Sequence, residues 1–147
     1  MNNFVIRPAR ESESNQIGNL IHLVGINPMG LDWKRFVVAA NAQDEMIGCG
    51  QLKPHGAEIQ ELASLAVYPE FRGQGVARSI IEYLLANGPR PLYLMCRSSL
   101  GSLYEKFGFY AISYNEMPRY FQRISKLAGL AKTLLQHNEG LLIMKLQ

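Results

Sequence analysis

Apolar and polar positions fall in blocks of changing period along the chain, and the changes mark out its elements. Phe4 to Arg7 reads as a first strand. Ser12 or Ser14 can cap a helix running to about Val24, because Ile17, Leu20, Ile21 and Val24 recur on one helical face. Gly25 and the Asn27-Pro28 pair end it. A short helical turn is predicted around Leu31 to Phe36. Apolar runs at Phe36 to Ala40 and Met46 to Leu52 flank polar Asn41 to Glu45, the pattern of a hairpin. After Pro54-His55-Gly56 a long strand is predicted from near Glu58 to Val67. Val76, Ile80, Ile81, Leu84 and Leu85 then form a helical stripe, stopped by Asn87-Gly88-Pro89.

Leu92 to Cys96 is a short, wholly apolar run, as expected of a central strand. A helix from about Ser99 to Phe107 should end at Gly108, with Phe109 to Tyr114 as the next strand. Pro118 suits the first turn of a last helix, whose stripe is Phe121, Ile124, Leu127, Leu130, Ala131 and Leu134, with a break possible at Gly129. Leu141 to Leu146 closes the chain as a strand. Strands alternating with helices in this order predict an α/β fold, a mixed sheet flanked by helices in one domain over residues 1–147.

Composition narrows the function classes. About half the residues are apolar and 18% are charged, ordinary for a globular domain. The opening Met-Asn-Asn-Phe-Val-Ile-Arg-Pro lacks a signal peptide's apolar run, and no segment approaches the roughly 18 apolar residues of a membrane helix. A cytoplasmic protein without a membrane partner is expected. A formal charge of +3 helps a polyanion approach but is too small and dispersed to argue for nucleic acid. Cys49 and Cys96 lie far apart in apolar stretches and read as buried strand thiols. His22, His55 and His137 show no metal-ligand spacing with them, so no structural metal is expected.

The candidate chemistry centres on Leu65-Ala66-Val67-Tyr68-Pro69-Glu70-Phe71-Arg72-Gly73-Gln74-Gly75-Val76-Ala77. A strand ends, glycines turn the chain, and a helix starts at once. The first backbone N–H groups of such a helix lack internal partners, and its dipole adds about half a positive charge there. Phosphate oxygens fit, and glycines let the backbone come close. A dinucleotide fingerprint would need a third glycine where this chain has Arg78, and a Walker loop would need Gly-Lys-Ser/Thr.

Arg72, Gly75 and Ala77 match the pattern Arg or Gln, two residues, Gly, one residue, Gly or Ala. In this loop, in Leu65-Ala66-Val67 and Pro69 before it, and in Leu103-Tyr104-Glu105-Lys106-Phe107-Gly108-Phe109 after it, the chain resembles the GCN5-related N-acetyltransferases (GNAT). The likeness in element order covers almost the whole chain. It implies acetyl-CoA as co-substrate, with pantetheine paired to the backbone of Leu65, Ala66 and Val67. Pyrophosphate would be held by Arg72 and by the N–H groups of Gly73, Gln74, Gly75, Val76 and Ala77. The family binds this ligand where the fourth and fifth strands, here about 58 to 67 and 92 to 96, splay apart.

The same resemblance implies acetyl transfer to a primary amine of a small molecule or peptide, by direct attack in a ternary complex. An alkyl ammonium with pKa near 10 is nucleophilic in only about one molecule in a thousand at neutral pH, so a base is useful. Glu61, six residues before Val67, stands where several relatives place a strand glutamate facing the acceptor; Glu58 or water is the alternative, and His55 reads as an incidental turn residue. Tyr104 stands where the family places a tyrosine near the cofactor sulfur, which makes it the candidate general acid. The chain departs from the family at Arg97 and Leu100, where relatives often carry Asn and Ala, so an asparagine contact does not transfer. Glu116-Met117-Pro118 resembles small amino-acid acetyltransferases of the N-acetylglutamate synthase type, over few residues. Arg119, Arg123 and Lys126 share a helical face that is either solvated or attractive to an acidic acceptor. A non-catalytic acetyl-CoA-binding module is the alternative reading, and a monomer or homodimer is expected.

Overall fold

The computed structural model describes residues 3–135 and 140–147. Its strands are β1 (Phe4–Pro8), β2 (Phe36–Asn41), β3 (Met46–His55), β4 (Ile59–Val67), β5 (Leu92–Arg97), β6 (Tyr110–Ala111) and β7 (Leu141–Leu146). Its helices are α1 (Ser14–Val24), α2 (Val76–Asn87), α3 (Gly101–Glu105) and α4 (Arg119–Leu135). Hydrogen bonding joins the strands in the order β1-β2-β3-β4-β5-β7-β6. The β4–β5 pair is parallel, while β1–β2, β2–β3, β5–β7 and β6–β7 are antiparallel, so the expected mixed α/β sheet is present.

The chain divides into two compact units. The first comprises Met1–Lys53 and Leu62–Gly88. Its core joins Ile17, Leu20 and Ile21 of α1 to Phe36, Val38, Met46, Cys49 and Ala66 of the strands. On α2, Val76, Ile80, Ile81 and Leu84 are buried at helical spacing. The glycines of β3 let that helix seat closely. A Cβ at Gly50 would stand 2.8 Å from a methyl of Ile80, and one at Gly48 would stand 3.0 Å from Val76. The start of α2 is thereby fixed against the sheet.

The second unit comprises Pro54–Glu61 and Pro89–Gln147. Tyr93, Ile112, Phe121 and Ile143 form its core. Cys49 and Cys96 are buried free thiols, and burial pushes the Cys49 thiol up to about 12. Among the described residues, no helix is long and apolar enough to cross a membrane, and no cluster of side chains could hold a metal ion. His137 lies outside the described residues.

Several expected boundaries move, each for a local reason. Neither Ser12 nor Ser14 caps α1; Ser14 is its first residue, and Glu13, gripped by Arg7 at 2.8 Å, stands at the cap position. The expected strand Phe109 to Tyr114 shrinks to β6, because the Ser113 N–H and hydroxyl both donate to Glu116 (3.0 and 2.9 Å) and divert the chain into a turn. The helix expected from Ser99 opens as a 3-10 turn, Ser98–Leu100, before α3. Helix α4 runs through Gly129 without a break. Leu127 is 66% exposed and leaves the expected stripe. Steps of three residues rotate back by about 60° each, so two steps from Phe121 carry the side chain off the buried face. Leu130, Ala131 and Leu134 have side chains outside the described set.

Candidate functional site

In the first unit, β4 reaches the loop through a bent backbone. Ser64 adopts a left-handed φ of +57° inside the strand, a conformation costing about 1–2 kcal/mol for a residue with a side chain. Gln51, fully buried on β3, holds it: the Gln51 amide donates to the Ser64 hydroxyl at 2.8 Å and to the Gly30 carbonyl at 3.2 Å. The Gln51 carbonyl oxygen is itself buried without a hydrogen-bond partner. The bend comes directly before Leu65, Ala66 and Val67.

Beyond Val67 the chain is pinned and then released. The Tyr68 N–H donates to the Ile47 carbonyl at 3.1 Å, and Pro69–Phe71 forms a 3-10 turn. Arg72, Gly73, Gln74 and Gly75 are exposed. Gly73 (φ +78°) and Gly75 (φ +80°) both take the left-handed conformation, and a Cβ on either would meet nothing within 4 Å. Gly75 caps α2, whose first turn closes with the Ser79 N–H donating to the Gly75 carbonyl at 3.0 Å. The N–H groups of Val76, Ala77 and Arg78 therefore precede the first closed helical bond, at the positive end of the helix dipole. An open, glycine-turned backbone with outward donors suits an anion.

In the second unit, Glu61 stands opposite Tyr93 in the β4–β5 register. Its side chain is only 4% exposed, and its Oε1 lies 2.6 Å from Nε2 of His55, whose side chain is 11% exposed. His55 stacks on Tyr120 (centroids 3.6 Å apart, 19° between planes) and meets the edge of Phe121 at 5.9 Å. Burial first, and the charge of Glu61 second, push the Tyr120 phenol up. His55 is not a turn residue but the last residue of β3. Glu58 sits exposed in the turn before β4.

Tyr104 lies on α3 and is half-buried, its ring meeting the edge of Phe109 at 6.2 Å. Burial, followed by the neighbouring Cys96, pushes its hydroxyl up to about 12. The group stays protonated at physiological pH and can donate a hydrogen bond. Arg97, Arg119, Arg123 and Lys126 are all exposed.

A family model described as an acetyltransferase (GNAT) domain matches residues 32–111, a span that includes Glu61, the glycine loop and Tyr104. The mycothiol acetyltransferase of Rhodococcus opacus (strain B4) is 40% identical over 65 residues, covering 44% of this chain and 21% of that protein. The chain thus spans about a fifth of the length of this curated relative. Among solved structures, N-acetylglutamate synthase from Neisseria gonorrhoeae, complexed with coenzyme A and N-acetyl-glutamate, superposes with a TM-score of 0.75 at 20% identity, over 100% of this chain and 36% of that one. The Rv2747 protein of Mycobacterium tuberculosis, in complex with CoA and NLQ, gives 0.72 at 22% identity, over 97% of this chain and 98% of the other. At these identities the likeness is one of fold.

Proposed function

The chain belongs to the GNAT acetyltransferase family, whose members use acetyl-CoA as co-substrate, and on that premise we propose that it is an N-acetyltransferase acting as one domain on a primary amine of a small molecule or peptide. The pyrophosphate of acetyl-CoA is held by the N–H groups of Gly73 to Ala77 with Arg72 alongside. The open space at Gly73 and Gly75 supports this, since bound phosphate must come where a Cβ would stand. The backbone of Leu65, Ala66 and Val67 pairs with the pantetheine arm as an added strand would.

Glu61 takes a proton from the acceptor's ammonium, and the freed electron pair attacks the thioester carbonyl in a ternary complex. The carbon–sulfur bond then breaks as the adduct nitrogen gives up its second proton, which ends on the departing thiolate, so the products are the amide and free CoA thiol. Tyr104 meets the departing sulfur with its hydroxyl. A thiolate of pKa near 8.5 cannot take the proton outright from a phenol near 12, so Tyr104 stabilises it mainly as a hydrogen-bond donor. The observation that carries the catalytic reading is Glu61, a carboxylate buried against His55, whose ring is packed by Tyr120 and Phe121; burial beside a specific partner is how titratable groups are tuned for catalysis.

Thiol release from acetyl-CoA, followed across amino acids, polyamines, aminoglycosides and peptide N-termini, tests the proposal. Release above buffer with at least one amine is expected. Intact acetyl-CoA binding without release on any amine would favour the binding module. On an accepted amine, Glu61→Gln should lose most rate at low pH, the loss shrinking as free amine becomes abundant. A profile parallel to wild type would remove Glu61 and promote Glu58 or water.

A further inference from the structure

Burying an ionised carboxylate is costly unless a donor compensates. Three elements surround the pair of Glu61 and His55: the end of β3 carries His55 itself, β5 sets Tyr93 opposite Glu61, and α4 packs Tyr120 and Phe121 against the His55 ring. Gly56 (φ +75°) turns the chain between β3 and β4, which brings His55 back beside Glu61 six residues on. An ionised carboxylate can only accept, so at 2.6 Å the His55 Nε2–H is the donor. The stack on Tyr120 and the edge of Phe121 fix the imidazole plane, and with it the direction of that bond.

We propose that His55 is a positioning residue for acetyl transfer, its Nε2–H holding the Glu61 carboxylate ionised and oriented to take the acceptor's proton. This rests on Glu61 being the base. In the step itself an acceptor N–H bond breaks, its electron pair stays on nitrogen, and an O–H bond forms on Glu61. The proton leaves to solvent after the acetylated product departs, and the dyad returns to its starting state.

The other titratable groups facing the pair do not compete for that proton. Tyr120 is held neutral by burial and by Glu61 itself. Tyr93 presents its ring to Phe121 at 5.4 Å, and Lys145 of β7 lies 5.7 Å over the Tyr93 ring.

Two variants separate the donor from the packing. His55→Phe keeps a ring on Tyr120 but has no donor, while His55→Gln returns an amide N–H close to the place of Nε2. Carbon-13 titration of glutamate-labelled protein, with Glu61→Gln assigning the signal, reads the carboxylate without any acceptor. Loss of a donor to the charged form raises a carboxylate's midpoint. The Glu61 midpoint should rise by about one unit in His55→Phe and return most of the way in His55→Gln. The acidic limb of kcat/KM on an accepted amine should move up by the same amount. An unmoved midpoint overturns the inference, as does a rate loss uniform across pH, which would mark His55 as packing alone. If Glu61→Gln is inactive and His55→Phe leaves the limb in place, only the role of His55 falls. If Glu61→Gln turns over like wild type, the base assignment fails and the role of His55 falls with it.

Discussion

Tyr104→Phe isolates one hydroxyl. The ring keeps its edge contact with Phe109 at 6.2 Å, so folding and packing should survive. The phenol near 12 and a thiol near 8.5 differ by about 3.5 units, which makes full proton transfer to the thiolate uphill by roughly 5 kcal/mol. What the hydroxyl can give is a hydrogen bond to a charged acceptor, worth about 1.5–3 kcal/mol. At about 1.4 kcal/mol per decade, kcat should fall by about 10- to 150-fold.

The bond forms only as sulfur gains charge, so the loss belongs in kcat and not in acetyl-CoA affinity. A hydroxyl that titrates near 12 does not change state in an ordinary assay range, so the ratio of wild-type to variant kcat should be flat from about pH 6 to 10. Steady-state kinetics beside calorimetric titration of coenzyme A measure both. A kcat within about threefold of wild type would show that water, not Tyr104, meets the thiolate.

Other substitutions probe other links. Gly75→Glu places a charge where pyrophosphate must approach; left-handed strain costs about 1–2 kcal/mol, and the added Cβ meets open space, so the fold should hold. Calorimetry should show at least tenfold weaker coenzyme A binding beside an unchanged circular dichroism spectrum, and undiminished affinity would mean that the anion binds elsewhere. Gln51→Leu removes the two bonds that hold Ser64 and Gly30 but also the unpartnered carbonyl, for a net loss of about 1–2 kcal/mol. A thermal melt lower by several degrees would agree, and an equal Tm would not. The Arg7 guanidinium beside Glu13 holds that carboxyl below the usual carboxylate range. Its stabilisation is therefore present above about pH 4.3 and lost as pH falls through the folded-state value. The Tm gap between wild type and Glu13→Gln should be open at pH 7 and should narrow as the pH is lowered below the ordinary carboxylate range; a gap independent of pH would remove the ion pair from stability.

What could be read from the sequence was whatever depends on neighbours along the chain. The glycine loop is of this kind: Gly73 and Gly75 are needed for left-handed turns, and the helix start follows within two residues. The stripes of α1 and α2 were equally legible, since a helical face is a local period. Pairings across the sheet were not. Pro54 and Gly56 read as punctuation and placed His55 in a turn, yet β3 continues to His55 and only the hairpin reveals its approach to Glu61. The bend at Ser64 had no signal either. A serine in a strand is unremarkable until the buried Gln51 amide is seen beneath its hydroxyl.

In the proposed mechanism, Glu61 is preferred to Glu58 on grounds of solvation. On ordinary values a carboxylate takes a proton from an ammonium against about 6 pKa units, or roughly 8 kcal/mol. Water sustains that gap by solvating both charged forms. Desolvation penalises both and draws the two values together, so a carboxylate in water, such as exposed Glu58, is a poor base for this task. Carried too far, the same effect leaves the carboxylate protonated before an acceptor arrives. Glu61 is nearly buried, and His55 supplies a donor that opposes its neutralisation. An ammonium acceptor also brings a positive charge to the carboxylate; an alcohol brings none. On the proposed reading of Glu61 as the base, amines are accordingly favoured over hydroxyl acceptors.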